Sequence, residues 1–207
     1  MNNKGNNLLT EQDVHHFLIN AYFGSVDDPL YVAANSAYLD MNRTIEFKKN
    51  GTITAEKKEE LRNNVVNLIK TEIQDFIKNT KPSQDLYDDW HSSLCNAIIK
   101  SYTDANVPFH YGQAQKWINM TMKYLCVLNH SEANKIVHLM HLPIDSIVFE
   151  RADDLLTIPY PEFRWSRMTE DQYKEYLGNI RDALSKQNPS YAPMIWELKN
   201  WERQKRG

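Results

Sequence analysis

Apolar residues recur at intervals of three and four along most of this chain. The longest run begins after Thr54, and its apolar positions are Leu61, Val65, Leu68, Ile69, Ile73, Phe76 and Ile77. This spacing places the apolar side chains on one face of an α-helix and the charged ones on the opposite face. Only 6 of the 207 residues are glycine and 8 are proline, so residues typical of tight turns between strands are scarce. The sequence therefore predicts an all-α fold.

Capping residues and breaks divide the chain into successive helices. Thr10 with Asp13 begins the first helix, whose apolar face is Val14, Phe17, Leu18 and Tyr22. The second is predicted to run from Pro29 to the Asn50-Gly51 break. Others are predicted after Thr54, from Leu86 to Tyr102, from Gly112, from Ser131 to Met140, after Asp145, from Thr169 to Leu184 and from Met194 to the chain end. Because no repeat or low-complexity linker interrupts them, we expect residues 1–207 to form a single compact domain.

Charge and cysteine usage limit the class of protein. The net charge of -3 argues against a globally basic nucleic-acid coat, although a local basic patch remains compatible with it. Cys95 and Cys126 lie in helical patterns without a CxxC motif, which favours a reducing compartment. No apolar segment approaches the roughly 20 residues of a membrane span. We expect a cytoplasmic monomer without a membrane partner.

Metal and cofactor motifs are not evident. His138 and His141 are three residues apart and His15 and His16 are adjacent, but no carboxylate or cysteine completes a familiar ligand spacing. P-loop, GxSxG and GxGxxG motifs are absent from the sequence. We therefore expect neither a metal nor a cofactor.

A lysine lies at the start of a predicted helix in HYGQAQKWINMTMKYL, residues 110–125. A turn at Gly112 would place Lys116 in the first helical turn, where the positive end of the helix dipole destabilises an ammonium group. A neutral lysine amine can act as a nucleophile and form a Schiff base. The alternative is a surface lysine that extends its amine into solvent.

An aspartate precedes another predicted helix in HLPIDSIVFE, residues 141–150. Asp145 is placed as the N-cap, so its carboxylate would lie at a second helix N-terminus. The two segments together resemble the helix-hairpin-helix superfamily of base-excision DNA glycosylases, which carries G-x-G-x-K and P-[VI]-D-x-x-[VI] motifs. Gly112 and Lys116 match the first motif; residues 143–145 with Val148 match the second.

The spacing and the departures from these motifs refine the resemblance. Lys116 and Asp145 are 29 residues apart, which is closer to the archaeal 8-oxoguanine glycosylase branch, whose hairpin is also degenerate. Ala114 stands where the second hairpin glycine belongs, and the iron–sulfur cysteines of the endonuclease III branch are absent. The resemblance nevertheless implies a helix-hairpin-helix-like element within the helical domain.

The resemblance also implies an activity and a partner. Lys116 would attack C1′ of a nucleotide flipped out of double-stranded DNA, and Asp145 would stabilise the charge that develops on the sugar. Backbone amides near the hairpin would hold a phosphate. Residues expected to contact the DNA or the flipped base are Tyr111, His110, Gly112, Gln113, Ala114, Gln115, Trp117, Trp90 and Trp165. Removal of an oxidised purine in repair and of a modified base in antiviral defence both fit.

The alternative is a non-catalytic helical protein that binds another protein or a small ligand, with phage defence or counter-defence as a compatible role. A glycosylase requires the Lys116 amine and the Asp145 carboxylate to face one cleft. An interaction protein should instead expose a contiguous apolar patch.

Overall fold

The computed structural model describes residues 9–48, 53–78, 82–187 and 191–202. Within these ranges every regular element is helical, and no strand is found. The α-helices are α1 (Glu11–Phe23), α2 (Pro29–Met41), α3 (Ala55–Ile77), α4 (Gln84–Thr103), α5 (Tyr111–Val127), α6 (Ser131–Lys135), α7 (Ser146–Leu156), α8 (Glu170–Gln187) and α9 (Pro193–Asn200). Short 3₁₀ helices span Asn42–Thr44 and Trp165–Arg167. The predicted all-α class is confirmed.

Predicted N-caps begin several helices. The Thr10 hydroxyl accepts a hydrogen bond from the Asp13 amide, and the Asp13 carboxylate accepts one from the Thr10 amide. Thr54, Asp145 and Thr169 also accept from backbone amides two or three residues later. Each cap satisfies an amide that has no partner inside its helix. These boundaries are predictable because the interacting groups are neighbours in sequence.

Three helices end earlier than the sequence predicts, and one of them is α9, which ends at Asn200. α2 ends at Met41, where the Thr44 hydroxyl donates to the Met41 carbonyl and the chain tightens into a 3₁₀ turn. The predicted break at 50–51 lies outside the described residues. α6 ends at Lys135 instead of Met140, because the following amides donate to carbonyls three residues earlier.

The core is built around α5. Residues 111–125 of this helix are all buried, with α2 and α4 packed along it. Trp117 is fully buried, and its indole nitrogen donates to the Ala34 carbonyl at 2.8 Å. The helix that carries Lys116, α5, is therefore the central element of the fold. No helix in the described ranges is both long and apolar enough to cross a membrane.

α1 lies outside this core, although its periodicity predicts a buried face. None of its residues is buried. Val14, Phe17, Leu18 and Tyr22 are between 42% and 68% exposed. The helix meets the core near its carboxyl end, where the Tyr22 and Tyr124 hydroxyls are 2.8 Å apart. The apolar pattern predicts the helix correctly, but this chain provides no partner for its apolar face among the described residues.

Candidate functional site

Lys116 and Asp145 form a largely buried ion pair. The lysine Nζ lies 2.5 Å from the aspartate Oδ2, and the two side chains are 8% and 14% exposed. The other carboxylate oxygen, Oδ1, accepts from the amides of Ile147 and Val148 at 2.9 and 3.0 Å. One carboxylate therefore caps α7 and binds the lysine of α5.

Two amide side chains of α5 place Asp145 beside the lysine. Gln115 donates to the Ile144 carbonyl at 2.7 Å and accepts from the Ile144 amide at 3.2 Å. One turn later, Asn119 donates to the Leu142 carbonyl at 3.0 Å. These bonds fix the backbone immediately before Asp145 against α5. Gln115, expected to contact DNA, thus has a positioning role in the protein interior.

Lys116 lies in the second turn of α5, not in the first as the sequence predicts. The helix begins at Tyr111, because the His110 amide donates to the Gln113 side chain at 2.8 Å and residue 110 becomes the N-cap. The effect of a helix dipole falls off within the first turn. The electrostatic environment of the amine is therefore set mainly by nearby carboxylates.

Five charged side chains from four regions of the chain are linked to one another by ion pairs or longer-range electrostatic interactions. They are Asp40 of α2, Lys116 and Lys123 of α5, Asp145 before α7 and Glu197 of α9, and we call them the charged cluster. The two lysines are seven residues apart and so lie on one face of α5. Lys123 Nζ is 2.6 Å from Glu197 Oε1. The cluster contains three carboxyl groups and two amines.

Burial changes the acidity of two members of this cluster. Burial raises the pKa of Asp40, and the Tyr124 hydroxyl and the two lysines offset only part of this effect. Burial likewise raises the pKa of Glu197, with partial compensation by Lys123. Removing a carboxylate from water disfavours its charged form. The cluster therefore holds a proton more readily than exposed carboxylates do.

A small cavity adjoins the cluster. It is lined by Ile147, Val148, Arg151, Trp196, Glu197, Asn200 and Trp201 and has a volume of about 10 Å³, room for about one water molecule. Glu197 Oε2 is buried and has no hydrogen-bond partner among the residues that the structure describes. The Trp201 ring lies 5.0 Å from Lys123 Nζ and is 48% exposed. A nucleobase would fit here only if the chain around Trp201 moved outward.

Sequence patterns missed much of the charged cluster. The sequence motifs single out none of Asp40, Lys123 and Glu197. The available signal was the seven-residue repeat of lysine on α5. Nothing local in the sequence indicates that α2 and α9 contribute carboxylates to the same place.

The predicted hairpin is covered by the protein itself. A Cβ on Gly112 would lie 1.8 Å from the Trp165 carbonyl oxygen, and the Gly112 amide donates to the Met168 carbonyl at 3.0 Å. Gln113 donates to the Thr44 carbonyl at 2.8 Å. Ala114 is fully buried. Residues 112–115 are buried and make contacts inside the protein, so they are not free to bind DNA.

The aromatic residues predicted to form a stacking surface lie in several different places. Trp117 is in the core, and Trp90 packs against Phe76 and Tyr87. Tyr111 is buried beside Tyr173, Trp165 lies in the 3₁₀ helix over Gly112, and His110 contacts Arg167. Trp201, in contrast, lies against Lys123 of the charged cluster. The sequence did not single it out.

A second buried polar network connects α4, α5 and α8. His141 contacts Asp88 and the Tyr173 hydroxyl, both at 2.7 Å, and His91 contacts Asn119 at 3.0 Å. Burial lowers the pKa of both histidines. No group of three or more potential metal ligands occurs in the part of the chain that the structure describes. Because Asn119 also binds Leu142, this network supports the segment that leads to Asp145.

Comparisons of the chain with protein-family models, curated proteins and solved structures found no match. The role proposed for the charged cluster depends on its own chemistry and on the motif resemblance of the segments around Lys116 and Asp145.

Proposed function

We propose that the protein is a DNA glycosylase with lyase activity, with Lys116 as nucleophile and Asp145 as its acidic partner. The observation that carries this proposal is the 2.5 Å contact between these two side chains, 29 residues apart in sequence. The motif resemblance requires them to converge near helix starts. In this proposal α4, α5 and the connection between them act as the helix-hairpin-helix-like element, and α7 carries Asp145 at its N-terminus.

The proposed chemistry assigns a distinct task to each residue. The Lys116 amine bonds to C1′ of the flipped nucleotide, displaces the base and leaves a Schiff base from which β-elimination cleaves the strand. The Asp145 carboxylate stabilises the positive charge that develops on the sugar. Its two bonds to backbone amides hold it in position before substrate arrives.

The flipped base would occupy the side of the cluster formed by α9. There the free oxygen of Glu197 offers a polar contact for a base edge, and Trp201 offers a ring for stacking. The cavity of about 10 Å³ must widen for this. Outward movement of the chain around Trp201 is therefore part of the proposal.

The proposed partner is double-stranded DNA with one modified base, bound by a cytoplasmic monomer. Two forms of this activity fit the proposal. One is the removal of oxidised purines in repair, and the other is the removal of modified bases from phage DNA. With residues 112–115 engaged in the protein, phosphate contacts must come from other surfaces. A net charge of -3 predicts weak non-specific affinity for DNA.

Borohydride trapping tests the proposed function. The protein is incubated with duplexes that contain 8-oxoguanine, 5-hydroxymethylcytosine or an abasic site, and borohydride is then added. We expect a covalent protein–DNA adduct with at least one duplex, and none with Lys116→Gln. Lys70→Gln is the control, because it removes a partly buried, paired lysine that lies outside the charged cluster, and it should retain the adduct. Thermal melting establishes that each variant is folded.

Two results would refute the proposed function. One is a folded wild-type protein that forms no adduct with any of the three duplexes. The other is a Lys116→Gln variant that forms as much adduct as wild type.

The exposed apolar face of α1 favours a second candidate, a non-catalytic protein that binds a helical or grooved partner. Val14, Phe17, Leu18 and Tyr22 form a stripe that the described chain leaves open to solvent. Amphipathic helices of this kind bind apolar grooves of other proteins. This candidate gives no role to the Lys116–Asp145 pair, so trapping distinguishes the two.

A further inference from the structure

His141 lies four residues before Asp145 and is enclosed by side chains of α4 and α8. Its Nε2 is 2.7 Å from Asp88 Oδ1, and its Nδ1 is 2.7 Å from the Tyr173 hydroxyl. The Asp88 carboxylate also accepts two hydrogen bonds from Arg181. Because an ionised carboxylate can only accept, Nε2 carries the ring hydrogen and Nδ1 accepts from Tyr173. Both nitrogens of a neutral imidazole are therefore satisfied.

The hydrogen bonds continue from Tyr173 to the middle of α5. The Asn119 side-chain nitrogen shares its two hydrogens among three acceptors, which are the Tyr173 hydroxyl at 3.1 Å, the Leu142 carbonyl at 3.0 Å and the Gln115 side-chain oxygen at 3.1 Å. Gln115 in turn bonds both the carbonyl and the amide of Ile144. Hydrogen bonds therefore run without a gap from the histidine ring to the residue before the aspartate of the ion pair.

A neutral His141 ring is the form that fits this chain of bonds. A protonated ring would donate from both nitrogens, so the Tyr173 hydroxyl would face two donors and its own hydrogen would lose its acceptor. Burial lowers the pKa of His141, and the bond to Asp88 offsets only part of this effect. The groups that face the ring from α4 and α8 are Asp88, Tyr87, His91, Tyr173 and Arg181.

We propose that neutral His141 is a positioning residue, which holds the segment before Asp145 against α5 and thereby sets the contact of this carboxylate with Lys116. The inference rests on the proposed function and adds to it a residue that acts only through the ion pair. A misplacement of about 1 Å at a reacting group can lower a rate about 100-fold. The position of this buried segment therefore matters for the proposed reaction.

Borohydride trapping of a duplex with an abasic site tests the effect on the reaction. His141→Phe keeps a ring but removes both hydrogen bonds, so we expect the maximal trapping rate to fall about 10- to 100-fold. The DNA concentration that gives half this rate should stay unchanged. His141→Gln should restore most of the rate, because its amide can donate to Asp88 and accept from Tyr173. His138→Gln changes an exposed histidine three residues earlier and should behave as wild type.

Tyr173→Phe tests the same chain of bonds with a smaller change. It deletes the hydroxyl that joins His141 to Asn119 and leaves the histidine in place. We expect the maximal trapping rate to fall about 2- to 10-fold, the factor by which loss of one hydrogen bond changes an equilibrium. Thermal melting establishes that each variant is folded.

Chemical labelling tests the position of the ion pair without DNA. The side chains of Lys116 and Lys123 are 8% and 10% exposed, and each is paired with a carboxylate. Acetylation by acetic anhydride is quantified at each lysine by mass spectrometry. We expect Lys116 to react about 2- to 10-fold faster in His141→Phe than in wild type, because its pair opens more often. Lys123, whose partner lies on α9, should keep its wild-type rate.

Each outcome bears on one of the two proposals. If wild type does not trap the abasic duplex, the proposed function fails and this inference about its mechanism fails with it. If wild type traps but His141→Phe and Tyr173→Phe keep its trapping and labelling rates, only the positioning role is refuted. Equal acceleration of labelling at Lys116 and Lys123, or a loss of trapping that His141→Gln does not restore, would indicate a general loosening of the fold and would also refute it.

Discussion

Gly112 is needed for close packing inside the protein and not for the expected approach of DNA. A glycine at this position predicts close approach of another group to the backbone. The approach exists, but the group is the carbonyl of Trp165 and not a DNA phosphate. An added Cβ would lie 1.8 Å from that oxygen, and a backbone atom held by its own helix cannot easily move away.

We predict that Gly112→Ala destabilises the protein by at least about 2 kcal/mol, because overpacking forces backbone shifts. Gly178→Ala in α8 is the matched control, since its Cβ would meet nothing within 4 Å. That change should stabilise the helix by about 0.5 to 1 kcal/mol. Urea unfolding of both variants measures the difference. A Gly112→Ala variant as stable as wild type would contradict the close contact.

At the scale of elements, α1 is a helix that its own sequence specifies, and its apolar stripe is exposed. Its capping box and apolar periodicity specify the helix. Its exposed stripe contributes little to the stability of the fold, because almost no apolar area is removed from water. Its contact with the core is the aromatic group at its carboxyl end, where Phe23 packs edge-on against Tyr124.

We predict that Leu18→Glu changes the free energy of unfolding by less than about 0.5 kcal/mol, as is usual for exposed sites. Leu125→Glu, the same substitution at a fully buried position of α5, should cost more than about 4 kcal/mol because it buries an unpaired charge. Thermal and urea melts compare the two variants. Equal destabilisation would show that α1 is part of the cooperative fold.

The elements also show which features were predictable. Helix starts at Thr10, Thr54 and Asp145 were predicted because a cap involves residues two or three positions apart. The contact of Gln115 with Ile144 is not predictable in this way, because it joins segments that are 29 residues apart in sequence. Lys116 and Asp145 are indicated by short motifs, each of which lies within a few neighbouring residues.

The remaining members of the charged cluster depend on how whole helices pack. Asp40 and Glu197 reach the cluster because α2 and α9 are placed beside the lysine face of α5. Local periodicity contains no information about that placement.

At the scale of the whole molecule, a buried polar network ties together helices that are distant in sequence. His91 on α4 and His141 before α7 are both fully enclosed and meet Asn119, Tyr173 and Asp88. Because burial lowers the pKa of both histidines, the folded protein keeps them neutral at pH values where the unfolded chain binds protons. The network therefore couples global stability to pH.

We predict that the free energy of unfolding decreases as pH falls from about 7 to 5. The unfolded chain takes up protons near the ordinary histidine pKa of about 6.5, and each extra proton contributes up to about 1.4 kcal/mol per pH unit. Asp40 and Glu197 have the opposite effect on stability, because their pKa values are raised in the folded protein. At pH values just above the ordinary carboxyl pKa, the folded protein therefore binds more protons than the unfolded chain. Near pH 6 an unfolded histidine binds most of a proton, whereas a carboxyl group opposes this trend only if its pKa in the folded protein approaches 6.

Urea midpoints measured between pH 5 and 8 test this dependence. His141→Gln should reduce the slope, whereas His138→Gln, at an exposed position three residues earlier, should leave it unchanged. Stability that is constant or increases toward pH 5 would contradict the assignment of the buried histidines.

The position of the covalent bond tests the central claim most directly. Trapped protein–DNA adduct is digested with protease and nuclease, and the modified peptide is identified by mass spectrometry. We predict that the sugar remnant is attached to the Lys116 side chain, beside the carboxylate 2.5 Å away. Attachment to Lys123 or to a surface lysine, or no adduct from folded protein, would contradict the claim.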